Sequence, residues 1–229
     1  MKVLAFNTSP RKQQGTTDII LDYFLNGASE AGATVKKYYV TELDIQGCIG
    51  CFKCWTETPG RCIYRDDMDK IISEYLNADM IVFGTPIYNE NITHYLQRMM
   101  ERMLPLLLPW MEERQGIIYH PLRYRSKHQK IVLIAVSGFP DQRTFHHVRN
   151  LFPNALHILL PFGEMLRDPE GKELVKDFIE AVPVAARQLI KRGEVDQDIK
   201  EKVIVKYRSK VKKELMEIAN RFFKEAMKT

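Results

Sequence analysis

Four cysteines lie between residues 48 and 62, and the 229-residue chain has no others. Two, two and seven residues separate Cys48, Cys51, Cys54 and Cys62. In a reducing compartment, such clustering favours a metal or redox site over structural disulfides. Three thiols at steps of three residues suit a loop that wraps one polynuclear cluster. A four-thiolate zinc site and a reduced loop without metal remain alternatives, although the usual zinc pattern of two separate C-x2-C knuckles is missing.

A polar loop at residues 8–17 combines hydroxyl groups, backbone N–H donors and two cations, and a helix begins at its end. Because a helix N-terminus carries partial positive charge, the loop is a candidate anion site, which favours a phosphate monoester. It lacks both G-x-x-x-x-G-K-[ST] and G-x-G-x-x-G, which argues against ATPase-type and dinucleotide-type loops. The alternative is a plain capped helix. The side chains concerned are Ser9, Arg11, Lys12, Thr16 and Thr17.

Two further loops follow apolar runs that are typical of buried strands. The loop at 84–91 offers a flat apolar wall beside backbone amides and asparagines, which suits a planar heteroaromatic ring with polar edges. The loop that begins at Ser137 and Gly138 can close the other side with main-chain donors. The wall and its polar neighbours are Pro86, Ile87, Tyr88, Asn89 and Asn91. The alternative for both loops is an ordinary strand-to-helix connection.

The elements that must position these loops alternate regularly. Apolar runs at 2–7, 34–40, 79–84, 130–136 and 155–160 predict strands, and helical patterns begin near residues 16, 66, 91, 142 and 170. This alternation predicts a doubly wound parallel sheet of five strands in a three-layer α/β/α sandwich. Ligands of such folds bind beyond the carboxyl ends of the strands, so the three loops are expected to meet there.

Two segments fall outside this alternation. Residues 109–129 show no clear period and are interpreted as an insertion or interface loop. Residues 197–228 predict one amphipathic helix, because apolar side chains recur on one stripe. The expected division is a ligand-binding domain at 1–193 and a C-terminal helical extension at 194–229.

Composition and charge limit the classes of function. Apolar residues make up 45% of the chain, which excludes wholesale disorder. The net charge of +5 resides in residues 191–229, with 12 Lys+Arg against 7 Asp+Glu, so the rest is balanced. A neutral body with a basic tail is unlike a nucleic-acid reading face. With no signal-peptide pattern and no long apolar stretch, we expect a cytoplasmic protein without a membrane or nucleic-acid partner.

The loop at 9–17, the segment 86–88 and the cysteine run that ends in Asp66-Asp67-Met68 together carry a resemblance. The chain resembles the flavodoxin-like NAD(P)H-dependent FMN reductases, including the iron–sulfur flavoproteins. The resemblance implies sheet order 2-1-3-4-5, bound FMN and NAD(P)H as co-substrate. It implies that Ser9, Arg11, Thr16 and Thr17 hold the phosphate. The ring contacts that it implies are those of Pro86, Ile87, Tyr88, Asn89, Asn91, Ser137 and Gly138.

The same resemblance implies that the cysteine run is a [4Fe–4S] ligand set. The expected function is electron transfer from NAD(P)H through FMN to a small-molecule or redox-protein acceptor, in a homodimer or homotetramer. Flavin sites of this kind often lie near a subunit boundary, and residues 91–125 are the expected contact. A flavodoxin-type electron carrier without enzymatic activity and a regulatory module built on a cysteine-bound metal are the two other hypotheses.

Overall fold

The computed structural model describes residues 1–124 and 129–228. The strands are β1 (Lys2–Asn7), β2 (Thr34–Tyr39), β3 (Met80–Pro86), β4 (Glu112–Arg114), β5 (Ile117–Tyr119), β6 (Lys130–Val136) and β7 (Leu156–Leu160). Strands β2, β1, β3, β6 and β7 lie side by side in this order, and every neighbouring pair is parallel. The predicted five-stranded parallel sheet and its 2-1-3-4-5 order are therefore confirmed. Strands β4 and β5 form a separate antiparallel hairpin.

Helices cover both faces of this sheet. They are α1 (Thr16–Glu30), α2 (Met68–Asn77), α3 (His94–Glu101), α4 (His146–Leu151), α5 (Pro169–Leu174), α6 (Lys176–Arg192), α7 (Gln197–Lys202) and α8 (Ser209–Ala226). Alternate strand residues enter two separate cores. Ala5 and Val82 pack with α1 and α6, whereas Phe6 and Phe83 pack with α2 and α3. Burial on both faces explains why the strands are almost continuously apolar.

The C-terminal segment differs from its prediction. The single amphipathic helix predicted over 197–228 is wrong, because α7 and α8 are separated by an extended stretch that contains Tyr207. Within that stretch Ile204 bridges Leu159 of β7, and the Tyr207 hydroxyl donates to Pro161 O, 3.2 Å away. Val195 and Leu215 are buried in the same core as α1 and α6. Long-range pairing with an edge strand thus overrides the local helical period.

Two smaller expectations also change. The helix predicted to begin near residue 170 is two helices that join at Val175, with Pro183 inside the second. The segment at 109–129 contains the β4–β5 hairpin, and its residues 125–128 lie outside the described residues. Helix α1 begins after Gly15, so Thr16 and Thr17 belong to its first turn.

A buried carboxylate, Asp18 in the first turn of α1, ties together the elements around the first loop. Its Oδ1 accepts from Asn7 Nδ2 and from Lys37 Nζ, both at 2.8 Å, and its Oδ2 accepts from the Tyr39 hydroxyl at 3.2 Å. The Asn7 side chain in turn accepts from Ser9 N at 2.8 Å. Burial alone would lower the pKa of Lys37, but its acidic partners raise it, so the lysine remains charged. The network sets the path of the loop between β1 and α1.

A second buried ion pair holds the cysteine loop. The Arg102 guanidinium contacts both carboxylate oxygens of Asp66, at 2.6 and 3.0 Å, and donates to Gln46 O at 2.7 Å. Asp66 also accepts from the backbone N–H groups of Gln46 and Met68. Burial would raise the pKa of Asp66, but these donors lower it overall. The two ends of the loop, residues 46 and 66, are thereby joined through one arginine.

The Asp18 network yields a prediction with an internal control. Asp18→Asn should lower the free energy of unfolding by about 2 kcal/mol, because the partly buried Lys37 and Tyr39 lose a charged acceptor. Asp22→Asn removes the exposed partner of the same Lys37 ammonium and should cost less than about 1 kcal/mol. Urea unfolding of the two variants measures the difference. Equal losses would show that the buried carboxylate has no special part in stability.

Candidate functional site

A cavity of about 140 Å³ lies at the carboxyl edge of the sheet, where the three predicted loops meet. Nine of the twelve residues predicted for FMN line it: Ser9, Arg11, Thr16, Thr17, Pro86, Ile87, Tyr88, Ser137 and Gly138. Lys12, Asn89 and Asn91 are not among the lining residues that the structure describes. The loops are joined directly, because Ile87 N donates to Val136 O at 2.7 Å. The structure thus brings most of the predicted side chains together, and their contact with a ligand stays a prediction.

One end of the cavity lies at the start of α1, where the sequence predicts an anion site. Within the described part of the chain, the buried hydroxyl of Thr16 has no hydrogen-bond partner. A Cβ at the neighbouring Gly15 would lie 2.7 Å from Ser9 Oγ, so glycine keeps this wall open. Ser9 Oγ accepts from Arg11 N at 3.3 Å. A buried hydroxyl without a partner is costly, and a phosphate oxygen at the start of α1 would satisfy it.

The two cations of the loop point in different directions. The Arg11 guanidinium lines the cavity and lies 2.5 Å from Glu164 Oε1. The Lys12 ammonium instead pairs with Glu42 Oε1 at 2.8 Å, and its backbone is left-handed, with φ +48°. Without a ligand, only Arg11 of these two cations lines the cavity, and the predicted contact of Lys12 with a cofactor stays a prediction. This difference arises because Glu42 lies beyond the end of the neighbouring edge strand β2.

The other end of the cavity is flatter and more open. Pro86 and Ile87 form its wall, and Tyr88, half exposed, stands at the rim. Tyr88 and Asn91 exchange two backbone hydrogen bonds of 3.0 Å around a tight turn, in which Asn89 has φ +50°. The side chain of Asn91 accepts from the following backbone N–H at 2.8 Å. The two asparagines therefore shape the turn, which explains why their side chains do not line the cavity.

Besides Gly15 and Val136, sequence reasoning missed four residues of the site. Glu164 and Gly163 line the cavity from the loop after β7, and Asn7 and Asp18 support the loop after β1. A Cβ at Gly163 would lie 2.1 Å from Val136 Cγ1, so only glycine permits this approach. The position of Asn7, a polar residue at the end of an apolar strand, was an available signal. No local sequence pattern indicated Glu164, Gly163 or Asp18.

Two larger clefts, of about 570 and 600 Å³, lie away from this edge. Both include Ile131, near the amino end of β6, and the first is mainly apolar. Neither contains residues of the three loops. Because ligands of doubly wound sheets bind at the carboxyl edge, the smaller cavity is the better candidate site.

The four cysteines are free thiols, and as they are arranged they do not form a metal-binding group. Cys48 and Cys51 are exposed, Cys54 is buried and Cys62 is intermediate. Burial, aided by the other three thiols, raises the pKa of Cys54. Residues 1–124 and 129–228 contain no group of three or more His, Cys, Asp or Glu that could hold a metal ion. The donor chemistry suits a cluster, but the present geometry does not fit one without movement of the loop.

Trp55 fastens the cysteine loop to the segment after α3. Its Nε1 donates to Leu104 O at 3.1 Å, and its ring lies 5.3 Å from that of Phe52 and 4.8 Å from that of His120. Trp55 does not contribute to the cavity wall within the described residues. Its role is therefore packing between the loop and the neighbouring segment.

No helix in the described part of the chain is long and apolar enough to cross a membrane.

Curated proteins that carry the name iron-sulfur flavoprotein are similar to this chain in sequence. An iron-sulfur flavoprotein of Methanocaldococcus jannaschii is 36% identical over 107 residues, covering 47% of this chain and 52% of that protein. An iron-sulfur flavoprotein of Archaeoglobus fulgidus is 32% identical over 105 residues, which is 46% of each chain. The chain thus spans about half the length of the curated relatives that it matches.

Solved structures share the fold. An NAD(P)H:quinone oxidoreductase from Methanothermobacter marburgensis superposes with a TM-score of 0.62 at 15% identity, over 82% of this chain and 96% of that one. An FMN-dependent NADH-azoreductase from Bacillus anthracis, in complex with FMN, gives 0.59 at 15% identity, over 83% and 100%. The model of one family, described as NADPH-dependent FMN reductase, matches residues 1–166. Because this match includes all three loops of the cavity and the cysteine run, the chain belongs to the NADPH-dependent FMN reductase family.

Proposed function

We propose that this chain binds FMN in the carboxyl-edge cavity and acts as an NAD(P)H-dependent flavin oxidoreductase. The observation that carries the proposal is the buried, unpartnered hydroxyl of Thr16 beside the glycine wall at the start of α1. The family match supports the same cofactor. The anion-binding end and the flat apolar end belong to one cavity, as a flavin that carries a terminal phosphate requires.

The protein's part in this function is binding and orientation. Thr16, Thr17 and Ser9 would hold the phosphate together with Arg11, and the wall formed by residues 86–88 would support the ring. When bound, FMN supplies the group that accepts a hydride and passes electrons on. Because the flavin supplies the redox chemistry, the protein need not contribute an acid or a base.

The electron acceptor is proposed only by class. A quinone or another small oxidant fits the open rim at Tyr88, which is half exposed. A redox protein is the other class considered. We also propose a homodimer or homotetramer, because Ile117 and Ile118 of the β4–β5 hairpin are 67% and 68% exposed. A lone two-stranded hairpin is marginally stable in water, so a second subunit would stabilise it.

A finer proposal concerns the cysteine loop. We propose that Cys48, Cys51, Cys54 and Cys62 receive a [4Fe–4S] cluster after a local closure of the loop. Two facts support it: four cysteine thiols, which supply soft donors when deprotonated, lie in one loop, and relatives carry the name iron-sulfur flavoprotein. The Arg102–Asp66 pair would keep the ends of the loop in place during closure.

Thr16→Val tests the phosphate assignment. The variant should bind FMN about tenfold more weakly, because a hydrogen bond to a charged group is lost, and should bind riboflavin, which has no phosphate, unchanged. Thr41→Val is the matched control, because Thr41 also has a buried hydroxyl without a partner among the described residues but does not line the cavity. Fluorescence titration of the flavin-free chain measures both ligands. Equal losses for FMN and riboflavin would contradict the assignment.

Turnover distinguishes an enzyme from an electron carrier. The FMN-loaded chain should oxidise NADH or NADPH continuously when a quinone is supplied, and absorbance at the nicotinamide band follows the reaction. A stoichiometric bleaching of the flavin without turnover, for every acceptor tested, would favour the flavodoxin-type carrier. A chain that binds metal but no flavin would favour the regulatory module.

Metal content tests the cysteine proposal separately from the flavin. Anaerobic reconstitution with iron and sulfide should give about four of each per chain, as the [4Fe–4S] composition requires. Cys54→Ser should lower the iron content while the FMN content stays unchanged, since Cys54 is not part of the cavity wall. Zinc without iron, or full FMN binding with no metal under every condition, would refute the cluster and leave the flavin proposal intact.

A further inference from the structure

The flavin cavity contains a carboxylate at the end that is expected to bind an anion. Glu164 lies in the short 3-10 turn after β7, at residues 163–167, and lines the cavity opposite Arg11. Its Oε1 lies 2.5 Å from Arg11 Nη1, and its Oε2 lies 3.0 Å from Arg167 Nε. A phosphate monoester carries about 1.5 to 2 negative charges at neutral pH. A carboxylate at this place therefore opposes the ligand that the cavity is built to hold.

The charges on the cavity wall cancel. Arg11 is the one cation and Glu164 the one carboxylate among its described lining residues. Lys12, the neighbouring cation, is occupied by Glu42 outside the cavity. A phosphate must therefore compete with Glu164 for the only guanidinium available on the wall.

Arg11 can leave Glu164 at a small cost in free energy. The side chains of Arg11, Glu164 and Arg167 are 49%, 55% and 38% exposed, so water screens each pair. Because an exposed ion pair contributes little, breaking it lowers ligand affinity by no more than about fivefold. When Arg11 turns towards a phosphate, Arg167 remains beside the other oxygen of Glu164. The carboxylate is then never left without a cation.

We propose that Glu164 is a specificity-determining residue that acts as an internal competitor for the anion site. It holds Arg11 while the cavity is empty and yields Arg11 to a phosphorylated flavin, with Arg167 as its remaining partner. A free inorganic phosphate has no ring contacts to offset the competition, so it is excluded. The inference rests on the proposed binding of FMN in this cavity.

The test compares three ligands on the full-length, flavin-free chain by titration calorimetry: FMN, riboflavin and inorganic phosphate. Glu164→Gln should bind FMN about fivefold more tightly, the gain expected when an exposed ion pair is removed, and should bind riboflavin within about twofold of the wild type. Titrated alone, inorganic phosphate should also bind this variant about fivefold more tightly than it binds the wild type. The salt dependence of FMN binding should also become steeper, because Arg11 is free to attract the anion.

Two further variants sharpen the test. Glu42→Gln is the matched control, because it removes the same charge from the partner of the adjacent Lys12 but does not touch the cavity wall. It should change FMN affinity by less than about twofold. Arg167→Met removes the second partner of Glu164, so the carboxylate holds Arg11 more firmly. FMN binding should then weaken about threefold while riboflavin binding is unchanged.

Several outcomes would overturn the inference. Weaker FMN binding by Glu164→Gln would show that the carboxylate positions Arg11 for the phosphate and does not compete with it. Equal changes in the affinities for FMN and riboflavin would show that the substitution acts on ring binding or on the fold. An equal gain in FMN affinity from Glu42→Gln would show that the effect comes from the overall charge of the protein and not from competition for Arg11. A wild-type chain that binds riboflavin and FMN equally, or neither, would refute the proposed function itself, which distinguishes the two failures.

Discussion

The Asp18 carboxylate is the interaction on which the candidate site depends most. It is buried at the start of α1 and accepts hydrogen bonds from β1 and β2 through Asn7, Lys37 and Tyr39. A buried charge is tolerated only when it is paired and fully hydrogen-bonded, so these four groups have little freedom to move separately. Because Asn7 also accepts from Ser9 N, that rigidity passes directly to the loop between β1 and α1. These hydrogen bonds therefore hold this side of the cavity in place without a ligand.

Close packing completes the cavity where hydrogen bonds do not reach. Gly15 and Gly163 stand where a Cβ would collide with Ser9 or Val136. The chain can therefore bring the loop after β7 against the loops after β1 and β6. This approach places Glu164 beside Arg11 and makes the empty site electrically balanced.

The cysteine loop is held in place by a buried ion pair and by a tryptophan. The Arg102–Asp66 pair is almost fully buried and joins the two ends of the loop, and Trp55 fastens its middle. These contacts come from side chains and backbone alone, so the ends of the loop do not need a metal to stay in place. A buried pair of this kind adds less to stability than to the choice of one conformation, because desolvation offsets much of its attraction. The loop can accordingly carry exposed Cys48 and Cys51 while its base remains ordered.

The sequence by itself determined the parallel sheet, its layers and the three loops that meet, because apolar periodicity is local and parallel strands end at one edge. Nine of the twelve predicted cofactor residues reach the cavity for that reason. The tertiary structure alone decided that Lys12 turns to Glu42 and that Glu164 enters the site. It also split the predicted C-terminal helix, since Ile204 pairs with β7. Such choices depend on charges and hydrogen bonds between residues far apart in the chain, as Arg11 and Glu164 are, and no local pattern encodes them.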